Sequence, residues 1–151
     1  MKTINFFSTP KFFNIYIAWG LLFCLTYVLI HFSPTLISTF QPDSQTYIDF
    51  DMTRTSIYPS VIKYLSEVEL NLFIFQKLVL SLSIVLLLYS LRTLEMSITT
   101  IFIFYSTLIL NFFYTTFTKT VLTEALFCSF INFSFAIFIL NKKKKIFLIL
   151  F

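Results

Sequence analysis

Apolar residues in this chain fall into blocks of about the 20 residues that a helix needs to cross the hydrocarbon core of a bilayer, with short polar or charged stretches between them. That spacing leaves few folds open. A backbone in lipid must satisfy its polar groups internally, so blocks of this length read as helices. Charged residues make up 12% of the chain and hydrophobic ones 58%, against about 25% charged in an ordinary soluble domain. Too little charge remains to coat a soluble surface. The expected fold is an all-α, polytopic membrane protein forming one transmembrane domain over residues 1–151, and a soluble globular domain is excluded.

The first span is expected at residues 12–32, too long for the apolar region of a signal peptide and without a small-residue cleavage site after it. A loop follows at 33–73, with Pro34, Pro42 and Pro59 and with Asp43, Asp49, Asp51, Glu67 and Glu69, five of the seven acids. Its second half, from Tyr58 to Phe73, mixes apolar and polar residues as a short interfacial helix would. Further spans are expected at 75–94, 96–114 and 121–140. Arg92 and Glu95 mark the hairpin between the second and third. After Asn141 and Lys142 to Lys145, residues 146–151 are apolar again and read as the start of a fifth span, so the chain reads as the amino-terminal part of a larger domain.

Lys and Arg near span ends favour the cytoplasm. With alternating helices, Lys2, Lys11, Arg92 and the four lysines from 142 to 145 share one side, and Arg54, Lys63, Lys77 and Lys119 share the other. Seven against four places the amino terminus in the cytoplasm and loop 33–73 outside, in a membrane of the bacterial plasma-membrane type. The basic block lies between apolar segments and reads as a membrane anchor, so nucleic acid is not an expected partner. Membrane lipids are. Cys24 and Cys128 lie inside spans without metal-ligand spacing, which suits buried apolar roles. With 22 Phe and one Gly, helices cannot pack through GxxxG seams, leaving aromatic side chains and Ser, Thr and Ala contacts.

An ionisable group at membrane depth costs about 2.5 to 3.5 kcal/mol, so each one needs a partner, a watery cavity or a task. Glu124 sits one turn into the fourth span at its outer end. It either snorkels to water or pairs with Lys119, or it walls a polar cavity. Gln76 and Lys77 open the second span on that side, where Lys77 reaches headgroups or a phosphate. His31, at the outer end of the first span, is assigned no function. Asp49 and Asp51 form a D-x-D triplet, too short a match to argue for a divalent metal, and no cofactor is called for. Asp43 after Pro42 could simply cap a turn.

Taken together, Pro42-Asp43-Ser44, Tyr47-Ile48, Arg54 and Tyr58-Pro59 ahead of Phe75-Gln76 resemble the first external loop of GT-C-type membrane glycosyltransferases, a superfamily that includes protein O-mannosyltransferases and aminoarabinose transferases. Thr123-Glu124-Ala125-Leu126-Phe127 similarly resembles the segment that opens the family's fourth helix. Thr55-Ser56-Ile57 between Arg54 and Tyr58 departs from the family's Arg-x-Pro or Gly-x-Pro, and small residues are scarce in the spans. The resemblance implies sugar transfer from a polyprenyl-phosphate donor to an unspecified acceptor outside the membrane. Asp43 would be the general base. Arg54, Lys77 or Lys119 would stabilise the departing lipid phosphate, with Tyr58 and Glu124 in substrate binding. The donor-binding later half of the family fold is not supplied, so this chain is expected to be inactive by itself. A non-catalytic membrane scaffold or assembly subunit is the competing reading, and it predicts that Asp43 and Glu124 can be neutralised without consequence.

Overall fold

The computed structural model describes residues 10–34, 48–49, 57–111, 115–119 and 124–149. Those residues form five α-helices and no strand: α1 (Pro10–Phe32), α2 (Ile57–Glu67), α3 (Leu72–Thr93), α4 (Ile98–Leu110) and α5 (Glu124–Ile149). A single 3-10 turn, Phe117–Lys119, stands between α4 and α5. Three helices, α1, α3 and α5, are long and apolar enough to cross a membrane.

Local chemistry sets most of the helix ends. Pro34 disfavours helical backbone at Ser33, so α1 stops at Phe32, and the Ser33 hydroxyl donates to the freed Ile30 carbonyl at 2.8 Å. Asn71 caps α3 by accepting from the amides of Phe73 and Ile74. Ser97 caps α4 by accepting from the Thr100 amide. α2 ends on Glu69 with φ 54°, where the Leu70 amide reaches back to the Leu65 carbonyl and the Glu69 amide to the Ser66 carbonyl. Glu95, φ 63°, ends α3 in the same left-handed conformation. Such positions normally fall to glycine, which this chain almost lacks.

α3 is the central helix, packed against α1, α4, α5 and the 3-10 turn. Ile30 of α1 and Leu80, Ile84 and Leu88 of α3 form the inner core, with Tyr105 and Leu108 of α4 and Cys128 of α5 against them. At one end His31 of α1 meets Lys77 of α3. At the other, the rings of Trp19 and Tyr89 meet edge to face with centroids 5.5 Å apart. α1 and α3 are therefore antiparallel. α4 runs alongside α1, where Thr26 and Tyr105 hydroxyls lie 3.2 Å apart. The Thr26 proton goes to the Leu22 carbonyl, so Tyr105 is the donor between them.

α3 and α5 run parallel and approach through small residues. Ser81, Ser83, Ala125, Ser129 and Ala136 are fully or almost fully buried. Ser81, Ser83 and Ser129 each donate to a carbonyl of their own helix, so no hydroxyl proton is left unused in the seam. Asn132 then donates from Nδ2 to Ser83 Oγ at 3.1 Å, the polar tie between the two helices. The expected reliance on Ser and Ala contacts holds along this seam. Gly20 plays no such part, since a Cβ there would meet nothing within 4 Å.

Two expectations change. The third span, expected at 96–114, is a helix of 13 residues ending at Leu110, about 20 Å long against a core of about 30 Å. Asn111 leaves the helix with extended backbone, φ −70° and ψ 103°, and stops it there. Four complete spans are thus replaced by three long helices and one short one. Residues 146–149 do not begin a separate helix either. They continue α5, which passes unbroken through Asn141 and the four lysines. Lysine is a good helix former, so a run of charge ends an apolar span without ending a helix.

Candidate functional site

The end of the bundle where α1 finishes and α3 begins holds two lysines, Lys77 and Lys119, that make no ion pair among the described residues. Lys77 lies in the second turn of α3 and is only 8% exposed. Its Nζ stands 3.4 Å from Nδ1 of His31, and an ammonium donating there requires the imidazole proton on Nε2. Lys119, from the 3-10 turn, donates to the Ser33 carbonyl. That carbonyl follows directly on the last residue of α1, and a cation there complements the negative end of the helix dipole. Burial first, and the charge of Lys77 second, hold the Lys119 ammonium below the ordinary lysine pKa. Among the described residues neither lysine has an ion pair.

Lys119 is accounted for by its carbonyl partner. Lys77 is not. It sits near the positive end of the α3 dipole, is more than nine-tenths buried, and contacts an imidazole where a buried cation would normally find a carboxylate. The arrangement can hold an anion between the lysines.

The other residues singled out in the sequence spread around this end. Tyr58, buried at 2% exposure, packs with Leu126 of α5, and Gln76 Nε2 donates to its hydroxyl at 2.7 Å. Its ring braces α2 against α3 and α5, while Tyr64 on the same helix is exposed. Glu124 opens α5, where a carboxylate suits the helix dipole, and its Oε2 is buried without a hydrogen-bond partner. The Lys119 ammonium donates to Ser33, and no ion pair joins it to Glu124 among the described residues. Thr116, fully buried in the turn before Lys119, likewise has an Oγ1 without a partner. Asp49 is exposed, and no cluster of metal-binding side chains occurs among the described residues. Asp43, Arg54 and Asp51 lie outside the described residues.

Sequence reasoning gave His31 no role, yet its Nδ1 lies 3.4 Å from Lys77 Nζ. The signal was there: alternating helices put the end of the first span and the start of the second at the same depth. No protein-family model matches the chain, and no curated protein or solved structure matches it.

Proposed function

We propose that this chain belongs to a membrane glycosyltransferase that moves a sugar from a lipid phosphate to an acceptor hydroxyl at the extracytoplasmic face, with its amino terminus in the cytoplasm. One observation carries the reading: Lys77 is a buried ammonium with no carboxylate partner among the described residues, next to a second lysine. A phosphate supplies the missing charge, and a lipid carrier delivers it to the depth at which Lys77 sits. In the transfer, the acceptor oxygen bonds to the anomeric carbon as the bond from that carbon to the phosphate oxygen breaks. The electron pair leaves with the lipid phosphate, where Lys77 and Lys119 stabilise it. The acceptor proton goes to Asp43. Arg54, by the resemblance, is a further cation for the lipid phosphate, and the unpartnered Glu124 oxygen is an acceptor for a sugar hydroxyl. Tyr58 acts by holding α2 in place.

The test is sugar transfer from a polyprenyl-phosphate donor in native membranes carrying the protein. Asp43→Asn is expected to cost about 100-fold, the range of a general base, with normal membrane insertion. Lys77→Gln is expected to cost about 10-fold or more. Transfer at the parental rate in both variants would leave the scaffold reading in its place.

A further inference from the structure

We propose that His31, Lys77 and Lys119 together bind a phosphate monoester carried by a membrane lipid, in preference to a phosphodiester. The inference deepens the transferase reading, because a monoester is what a phosphodiester donor leaves on the lipid once its sugar has moved.

The case rests on the number and placement of donors. Three nitrogen groups from three separate elements converge where α1 ends: Lys77 Nζ from α3, Lys119 Nζ from the 3-10 turn, and the His31 imidazole from α1, with Lys77 and His31 3.4 Å apart. Two ammonium groups gathered at one helix end repel each other, and an anion between them offsets that cost. A monoester carries about −1.5 to −2 charge at pH 7 on three terminal oxygens, whereas a diester carries about −1 on two. The monoester thus matches the cluster in both charge and donor count, and a carboxylate or diester leaves one donor without an acceptor. The fully buried, unpartnered Thr116 hydroxyl, three residues before Lys119, marks the same turn as short of a polar partner.

A lipid rather than a soluble phosphate follows from the surroundings. Lys77 belongs to an apolar helix of spanning length, and Leu29 and Phe32 of α1 are exposed beside His31. A ligand arriving along these side chains brings a hydrocarbon tail with its phosphate.

With Nδ1 of His31 facing Lys77, the other ring nitrogen, Nε2, is the one that donates to a bound anion. His31 is exposed, so its substitution leaves the core intact.

The experiment is native mass spectrometry of the purified 151-residue chain titrated with phosphatidic acid, a monoester, or phosphatidylglycerol, a diester, in the same detergent. Phosphatidic acid is expected to bind about tenfold more tightly, the worth of one charge-assisted hydrogen bond. His31→Gln and Lys77→Gln should each remove that preference, and Lys63→Gln, which takes a charge from the exposed face of α2, should keep it. Lys77→Arg, which keeps the charge, guards against a folding defect in Lys77→Gln and should retain most of the preference. Equal binding of the two lipids, or a preference that survives in His31→Gln, would overturn the proposal. Displacement of phosphatidic acid by inorganic phosphate at equal concentration would show a soluble phosphate site and overturn the lipid part. No sugar is present, so these outcomes are independent of whether the transferase assay succeeds.

Discussion

Two glutamates, Glu69 and Glu95, occupy left-handed backbone at the ends of α2 and α3, with φ of 54° and 63°. Each pays a steric cost of roughly 1–2 kcal/mol that glycine would not. Neither position is legible in the sequence, because the usual marker of such an end is glycine and the only one, Gly20, is inside α1. Glu95 has no described hydrogen bond beyond its own turn, so Glu95→Gly should raise stability by about 1 kcal/mol. Thermal unfolding of the purified variant in detergent measures this, and a lower midpoint than the parent would mean that the glutamate side chain contributes more than its backbone costs. Lys77 is the opposite case, since its lone position at the start of a span was visible in the sequence. What the sequence lacked was its partner, because His31 is 46 residues away and only the antiparallel pairing of α1 and α3 brings them together.

At the level of elements, hydropathy located α1, α3 and the start of α5 to within about three residues, because the length of an apolar block is fixed by the thickness it has to cross. The short helix expected over Tyr58 to Phe73 was legible only in its first part, Ile57–Glu67, where the buried Tyr58 and Leu65 recur at helical spacing, while the break at Glu69 and the start of α3 at Leu72 were not. Hydropathy failed where a helix ends for a reason other than polarity. Asn111 stops α4 by its backbone conformation while apolar sequence runs on, and the lysines after Asn141 change polarity without changing conformation. The seam between α3 and α5 is likewise set by pairing that no single segment reveals. The bond from Asn132 to Ser83 should contribute about 0.6 kcal/mol, and up to about 2, as interhelical bonds in membranes do. A double-mutant cycle with Asn132→Ala and Ser83→Ala, read by unfolding in detergent, gives that coupling. Strict additivity of the two losses would show that the bond adds nothing and that the small residues alone hold the seam.

For the whole molecule, α3 serves as the axis on which the other helices are hung, and the cation cluster lies at the end where α1 closes and α3 and α5 open. A phosphate-binding role at the outer face requires that end to point away from the cytoplasm. The lysines at 142–145 lie in the last turns of α5, far from its start at Glu124, so the two basic regions are predicted on opposite sides of the membrane. The most direct measurement is labelling of intact cells with a membrane-impermeant thiol reagent, using Ser44→Cys or Lys143→Cys in a background with Cys24→Ser and Cys128→Ala. Ser44→Cys should react in intact cells and Lys143→Cys only after the membrane is opened. Labelling of Lys143→Cys but not Ser44→Cys in intact cells would put His31, Lys77 and Lys119 on the cytoplasmic side and contradict an extracytoplasmic transfer site.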